Sequence, residues 1–446
     1  MVLSSFVKHL RRLRADERGT VAVIMGVLIV PLVGALGLGF EVSNWYMTTR
    51  GMQNAADAAA IAAAMNSGSN YDVEAKAVAA RYGFVHGTNN ISVVASNTAA
   101  CPGGGNNCYS VAISGFTPLL LSQVVGFTGN GTLNGALVKQ LASSAVATHP
   151  TTPTDFCLLA LGPQGIRSNG APKSSMACNT MSNASSTCNG GNLGAPIGAA
   201  HNTNNGCGVN SYSNVPAAVD TYAAMASQIP ADPCGGSYPQ EPGKKGPALP
   251  PTNQWSGIVN LPTGDTTFCG DLQLTADVTI VTPPIDTPPG GPGAVLTIFN
   301  GQLDTNGFTI KTSDKSGLTV VFSGDNTGSY THAPTGNGTL DIAAPTGGPW
   351  SGVALYQDPK LTNGVDIAAA GNTPAWAITG MVYLPNSSVT LSGAINKAGF
   401  GKSCFAMTVK DITVNGTGMI LPKGECIPAG VTSPSTTIPG RATLVL

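Results

Sequence analysis

The sequence predicts an α+β protein: an N-terminal transmembrane helix that continues into a long second stretch of helix, a small α+β unit, then a mainly-β body. Three observations carry this. Thr20 to Phe40 holds no charged residue over 21 positions, about the length that crosses a bilayer's hydrocarbon core as a helix. Trp45 to Met65 is dense in alanine, the strongest helix former. From about residue 255 to 425, short apolar runs alternate with Gly/Asn/Asp/Thr turns and show no helical period.

The first element is a basic stub over residues 1–19, with Lys8, Arg11, Arg12, Arg14 and Arg18 ahead of the apolar run. Few cations follow it, so the positive-inside rule keeps the N-terminus in the cytoplasm and exports the rest. A secretory signal peptide is the competing reading. The apolar run is longer than a usual h-region and no A-x-A site follows promptly, which favours a retained anchor over residues 20–40. Trp45 and Tyr46 stand where an interfacial aromatic belt would sit. Pro31 lies inside the run, which membrane helices tolerate.

Residues 41–150 read as a helical stalk and a small α+β unit. Met52, Ala55, Ala56, Ala59, Ala60 and Ala63 recur at spacings of three and four, a stripe of small side chains. Such a stripe admits close approach by another element. It either packs on the protein's own body or contacts other membrane components through Met52, Ala55, Ala59 and Ala63. Tyr71 to Phe84 is a second, shorter helix, with Asp72 and Glu74 at its start and Arg81 near its end, as the helix dipole prefers. Ile91–Ala95, Tyr109–Ser114 and Ala145–Thr148 read as strands, and Thr117–Gly126 as a short helix.

Residues 151–250 form a connecting region, loop-rich and cysteine-containing, with a helix expected over Ala217–Gln228. Residues 251–430 form the β body, and 431–446 a tail. The body's short strands suit a parallel β-helix, favoured here, or a β-sandwich.

Charged residues are only 10% of the chain, against roughly 25% in ordinary soluble proteins, and the net charge is −1. That excludes nucleic acid as a partner. All ten cysteines lie beyond the apolar run: Cys101, Cys108, Cys157, Cys178, Cys188, Cys207, Cys234, Cys269, Cys404 and Cys426. An even number on the oxidising side points to disulfides. Sequence order favours pairing of neighbours, but connectivity stays open at this level. Zinc would need close C-x2-4-C pairs or Cys/His clusters, and the spacing offers none, so no metal is expected.

Catalytic motifs are missing: there is no H-E-x-x-H, P-loop, G-x-S-x-G, or G-x-G-x-x-G opening a helix. No catalytic residue and no cofactor is expected. The histidines His9, His86, His149, His201 and His332 are scattered. Asp265, Asp271, Asp277, Asp304, Asp325 and Asp341 could in principle pair for work on sugars. In Gly/Asn-rich turns, however, aspartate more often satisfies backbone donors. Asp325-Asn-Thr-Gly-Ser329 spells the D-x-T-x-S of metal-dependent adhesion motifs, but loop follows it where a helix should, so it reads as a turn.

Asp16-Glu-Arg-Gly19-Thr-Val-Ala-Val-Ile24, Leu36-Gly-Leu-Gly-Phe-Glu41 and Gln53-Asn-Ala-Ala-Asp57-Ala-Ala-Ala together resemble the N-terminal region of the Flp pilus-assembly TadE/TadG-like family. Phe156–Leu161 and Gly380–Pro385 look like parts of the long TadG-like members, whose β-rich body follows the anchor. The resemblance implies a pilin-like helix and a single-pass protein of the bacterial inner membrane. It implies a periplasmic body and a structural role among other pilus-assembly proteins. Prepilin peptidases want Glu at the fifth position after the glycine; Ile24 stands there, which suits a retained anchor. The rival functions are an envelope-anchored β-helix adhesin and a glycan-binding or glycan-cleaving protein.

Overall fold

The computed structural model describes residues 18–66, 70–102, 104, 107–170, 178–242, 249–286, 290–326, 330–362, 364, 366–369, 375–392, 404–415 and 430–445. The chain forms two compact units, one of residues 1–151 with 439–446 and one of residues 152–438. The second is thus inserted into the first near the C-terminus.

In the first unit the apolar and alanine-rich runs form one continuous helix, α1, over Arg18–Asn66, with Pro31 inside it. A shorter helix, α2, spans Tyr71–Arg81 and carries Asp72 and Glu74 in its first turn and Arg81 in its last. These helices pack on an antiparallel sheet of Ser92–Ala99, Cys108–Pro118, Ala136–Thr148 and Thr443–Leu444, with Gly131–Leu133 beside the third. Tyr109, Val111 and Ile113 alternate along their strand and so share the face that meets the helices. Opposite them lie Met52, Ala55, Ala56, Ala59, Ala60, Ala63 and Ala64, all buried. Alanine brings the helix axis close to the sheet, which long side chains would prevent. The stripe is therefore an internal packing face. Of the two readings of Met52, Ala55, Ala59 and Ala63, packing on the protein's own body is the one that this burial fits, because the protein's own sheet covers them. The short helix expected at 117–126 is a single 3-10 turn, Ser122–Val125.

The second unit is mainly β, and among the described residues its two large sheets contain only parallel pairs. In the larger sheet a single register column crosses ten strands: Thr266, Leu296, Val320, Leu355, Val382, Met407, Leu158, Thr180, Gly198, Ser211. Chain order is broken once in that column. The strand Leu158–Ala160, first of the ten in sequence, sits beside Phe405–Asn415, the last. The second sheet aligns Gly257, Val278, Ile310, Leu340 and Trp376 in one column. Leu296, Val320, Leu355 and Val382 share a core with Val278, Ile310, Leu340 and Trp376. Both faces of the larger sheet's central strands are buried, which is why Ala294–Phe299 and Leu318–Ser323 read as unbroken apolar runs.

Residues 156–215, which composition reads as a loop-rich connection, contribute strands to this sheet. These strands are two to four residues long (Leu158–Ala160, Thr180–Ser182, Ile197–Ala200, Asn204–Asn205), too short to leave an alternation in the sequence. The helix expected over Ala217–Gln228 is a 3-10 segment, Ala223–Gln228. It belongs to a stretch that runs back across the sheet, strand by strand. Ala218 bonds Asn183, Tyr383 Oη donates to Asp220, Tyr356 Oη donates to the Tyr222 carbonyl, and Gln240 Nε2 donates to the Asn300 carbonyl.

Disulfides join Cys101–Cys108, Cys157–Cys178, Cys188–Cys207 and Cys234–Cys269. Cys157–Cys178 joins the segments just ahead of the neighbouring strands Leu158–Ala160 and Thr180–Ser182, and Cys234–Cys269 ties the returning stretch to the larger sheet's edge strand, Gly264–Cys269. Cys404 is also disulfide-bonded; Cys426 lies outside the described residues.

Candidate functional site

α1 changes character along its length. From Val21 to Val33 every residue is exposed, Val23, Val27, Leu28 and Leu32 by 54–68%, and Gly34 is the first buried one. By length and composition this helix can cross a membrane. From Met52 onward its apolar side is buried on the sheet. One rod therefore carries an uncovered apolar end and a packed end.

The junction between the two ends is built around Glu41, only 3% exposed. Its Oε1 accepts backbone N–H groups from Leu120 at 2.6 Å, from Leu121, and from Ser122 at 3.3 Å. These are the leading donors of the 3-10 turn Ser122–Val125, which have no partner inside the turn itself. Gly34 and Gly37 of α1 lie against the same segment: a Cβ on Gly34 would strike Val125, and one on Gly37 would strike Leu121. Above Glu41, the Trp45 ring lies 5.5 Å from that of Phe127, and Lys139 Nζ stands 5.8 Å from the Trp45 ring. The Arg50 guanidinium lies over Tyr46 at 5.2 Å. Gln53 Nε2 donates to Asp57 Oδ1 at 2.7 Å and to the Ser144 carbonyl at 3.2 Å, so this polar pair clips α1 to the sheet.

Of the cations that set topology, Lys8, Arg11, Arg12 and Arg14 lie outside the described residues, and Arg18 opens α1. Motif reading picked out Glu41 and Asp57 only as letters of a signature. The partners of Glu41 lie 79 to 81 residues on, so no local pattern could reveal them.

Four of the six aspartates weighed for chemistry in the β body, Asp271, Asp277, Asp304 and Asp325, accept hydrogen bonds from its strands and loops. Asp271 accepts the Gln302 and Glu241 N–H groups, Asp277 that of Thr309, and Asp304 that of Asn306. Asp325 accepts Asn300 Nδ2. Residues 327–329 of the D-x-T-x-S stretch lie outside the described residues. Among the described residues no cluster of His, Cys, Asp and Glu could hold a metal ion.

His332 is 2% exposed, and its Nε2–H donates to Asn300 Oδ1 at 3.1 Å. Burial pushes its pKa from the ordinary 6.5 down to about 4, against the opposite pull of Asp325 and Asp358. As pH falls, the unfolded chain takes up the proton before the folded one does. The stability that rests on neutral His332 is thus intact above pH 6.5 and declines as pH falls to about 4. A loss of about 3 kcal/mol is expected across that window. Urea unfolding of the full chain in detergent at several pH values between 7.5 and 4 measures it. His332→Gln should flatten the curve; an unchanged curve would mean that His332 is protonated inside the fold.

Residues 19–66, the length of α1 after its first residue, match the family described as "Putative Flp pilus-assembly TadE/G-like". No curated protein and no solved structure matches the chain. The stretch of this protein that is similar to the TadE/G-like family is thus the rod with the uncovered apolar end, the Glu41 junction and the alanine face.

Proposed function

We propose that this protein is a structural component of Flp pilus assembly, held in the bacterial inner membrane by α1 with its body in the periplasm. The observation that carries the reading is the coincidence of the family match, residues 19–66, with a helix that is bare and apolar at one end and built into a folded unit at the other. Catalysis needs no such rod; anchoring a body at a fixed height over a membrane does. The disulfides support an oxidising compartment. The partners are membrane lipid and other pilus-assembly proteins.

The β body is read as a parallel β-helix. Its support is the ten-strand column of parallel neighbours, whereas sandwiches are built from antiparallel sheets. A rigid body of this kind suits display and contact more than turnover, and Asp271, Asp277 and Asp304 are engaged by backbone N–H groups.

A reporter fused after Leu446 tests the arrangement. Activity confined to the periplasm is expected, together with loss of surface pili when the protein is removed from cells. Activity of the fusion in the cytoplasm would overturn the topology. Normal piliation without the protein would overturn the role.

A further inference from the structure

We propose that residues 119–126 form a second membrane contact: an apolar finger that enters the periplasmic leaflet beside α1, its backbone latched by Glu41. The inference rests on the anchored reading of α1.

Depth is the first argument. The finger lies against Gly34 and Gly37, both inside the uncharged run that ends at Phe40. Gly34 is six residues before Phe40, so at 1.5 Å per residue it sits about 9 Å below that end of the run. If Thr20 to Phe40 spans the hydrocarbon core, whatever touches Gly34 and Gly37 is at hydrocarbon depth. The absent Cβ atoms at these positions are what let the finger lie so close.

Its surface is the second. Leu120 is 66% exposed, Val124 58%, Val125 44% and Leu121 40%, while no charged residue occurs from Leu119 to Gly126. Four neighbouring apolar side chains held open to water at a loop tip are costly; facing acyl chains they are favourable.

The third argument is how the backbone is satisfied. Irregular chain in a bilayer must find partners for its N–H groups inside the protein, because no water is there to serve them. Glu41 Oε1 takes the N–H groups of Leu120, Leu121 and Ser122. The N–H groups of Val124, Gly126 and Phe127 go to the carbonyls of Leu121, Gln123 and Ser122. Even the Gln123 amide turns back to the Leu119 carbonyl. A loop meant for water would not need a buried carboxylate from a membrane helix.

A rim of the right chemistry lies just above. Trp45, Tyr46 and Phe127, with Lys139 and Arg50 beside them, form the aromatic and cationic level that matches headgroups. The finger would fix the tilt and rotation of the body over the membrane, which a single helix alone leaves free.

The test uses the full chain, disulfides intact, reconstituted in vesicles of phosphatidylethanolamine and phosphatidylglycerol. An environment-sensitive fluorophore is placed on Val124→Cys and, separately, on Leu28→Cys and Thr132→Cys. Lipids carrying a nitroxide near the top of the acyl chain act as quencher. Quenching at Val124 and Leu28, with Thr132 reporting water, supports the finger. Quenching at Leu28 with water exposure at Val124 overturns the finger and leaves the anchor standing. No quenching at Leu28 overturns the anchor, and the finger with it. A Val124 probe sheltered from both lipid and water would show a second copy of the chain covering it, which also overturns the proposal. Glu41→Leu should lower quenching at Val124 at least about twofold, while Glu41→Gln, still an acceptor, keeps most of it. Unchanged quenching in Glu41→Leu would overturn the latch.

Discussion

Replacing Ala59 and Ala63 together with leucine is expected to destabilise the first unit by about 2–6 kcal/mol, because each adds three carbons to a filled interface. Both alanines are fully buried against a sheet face that presents Val93, Val111, Ile113 and Ala145. Leucine ranks close to alanine in helix propensity, so α1 itself is not weakened and the loss reports packing. Thermal unfolding in detergent, followed by circular dichroism, should show the shift, and the protein's abundance in cells should fall with it. Met65→Leu, on a side chain 65% exposed, is the control expected to change nothing. If the double variant keeps its stability and abundance while piliation fails, the stripe meets a partner and its burial on the sheet is not the resting arrangement.

This interface shows how far the sequence could be followed. The continuity of α1 was legible because two independent signals met end to end, an uncharged run and an alanine run, and the glycine at 51 lies where Phe84 packs rather than at a break. The stripe was legible as a stripe. Which surface it meets was not, since a face of small residues fits any close neighbour, and the choice was made by strands 30 to 90 residues further on. The turn residues of the β body were legible as well: Asn300 and Asn306 adopt positive φ, as asparagine before glycine often does in tight turns.

The rest was hidden by distance. The Thr443–Leu444 strand pairs with Ala136–Thr148, so residues that read as a tail complete the first unit's sheet. Nothing in two residues announces such a pairing. The cysteine-rich stretch was obscured differently: strands such as Asn204–Asn205 and Ser186–Cys188 carry polar side chains, and that of Asn204 bonds the backbone of Gly198 and Cys207. Polarity of this kind looks like loop unless the neighbouring strand is known. For Glu41 the acid was visible and its role was not, because the turn it serves is brought to it only by folding of the sheet.

The largest single effect is expected at the place where the larger sheet joins its first strand in sequence to its last. Val409 is fully buried and pairs in register with Leu384 on one side and Ala160 on the other. Around it the seam is dense with bonds: Leu161 N–H to the Val409 carbonyl, Met407 N–H to the Cys157 carbonyl, and Gln164 and Gly165 N–H to Asp411 Oδ1. Val409→Asp puts an unpaired carboxylate into this seam. It either stays charged at a heavy desolvation cost or takes up a proton, and both routes lose the packed methyls. A loss of at least about 3 kcal/mol is expected. Lys410→Ser, one residue on and exposed, should stay within about 0.5 kcal/mol of the parent. Hydrogen exchange reads the consequence strand by strand. Because Phe405–Asn415 is hydrogen-bonded to both neighbours at this seam, Val409→Asp should raise exchange both in Leu158–Ala160 and in Gly380–Ser392. Exchange confined to Phe405–Asn415, with both flanks still protected, would mean that the strands on either side are stable without the seam, and that the ten-strand column is two shorter sheets placed side by side.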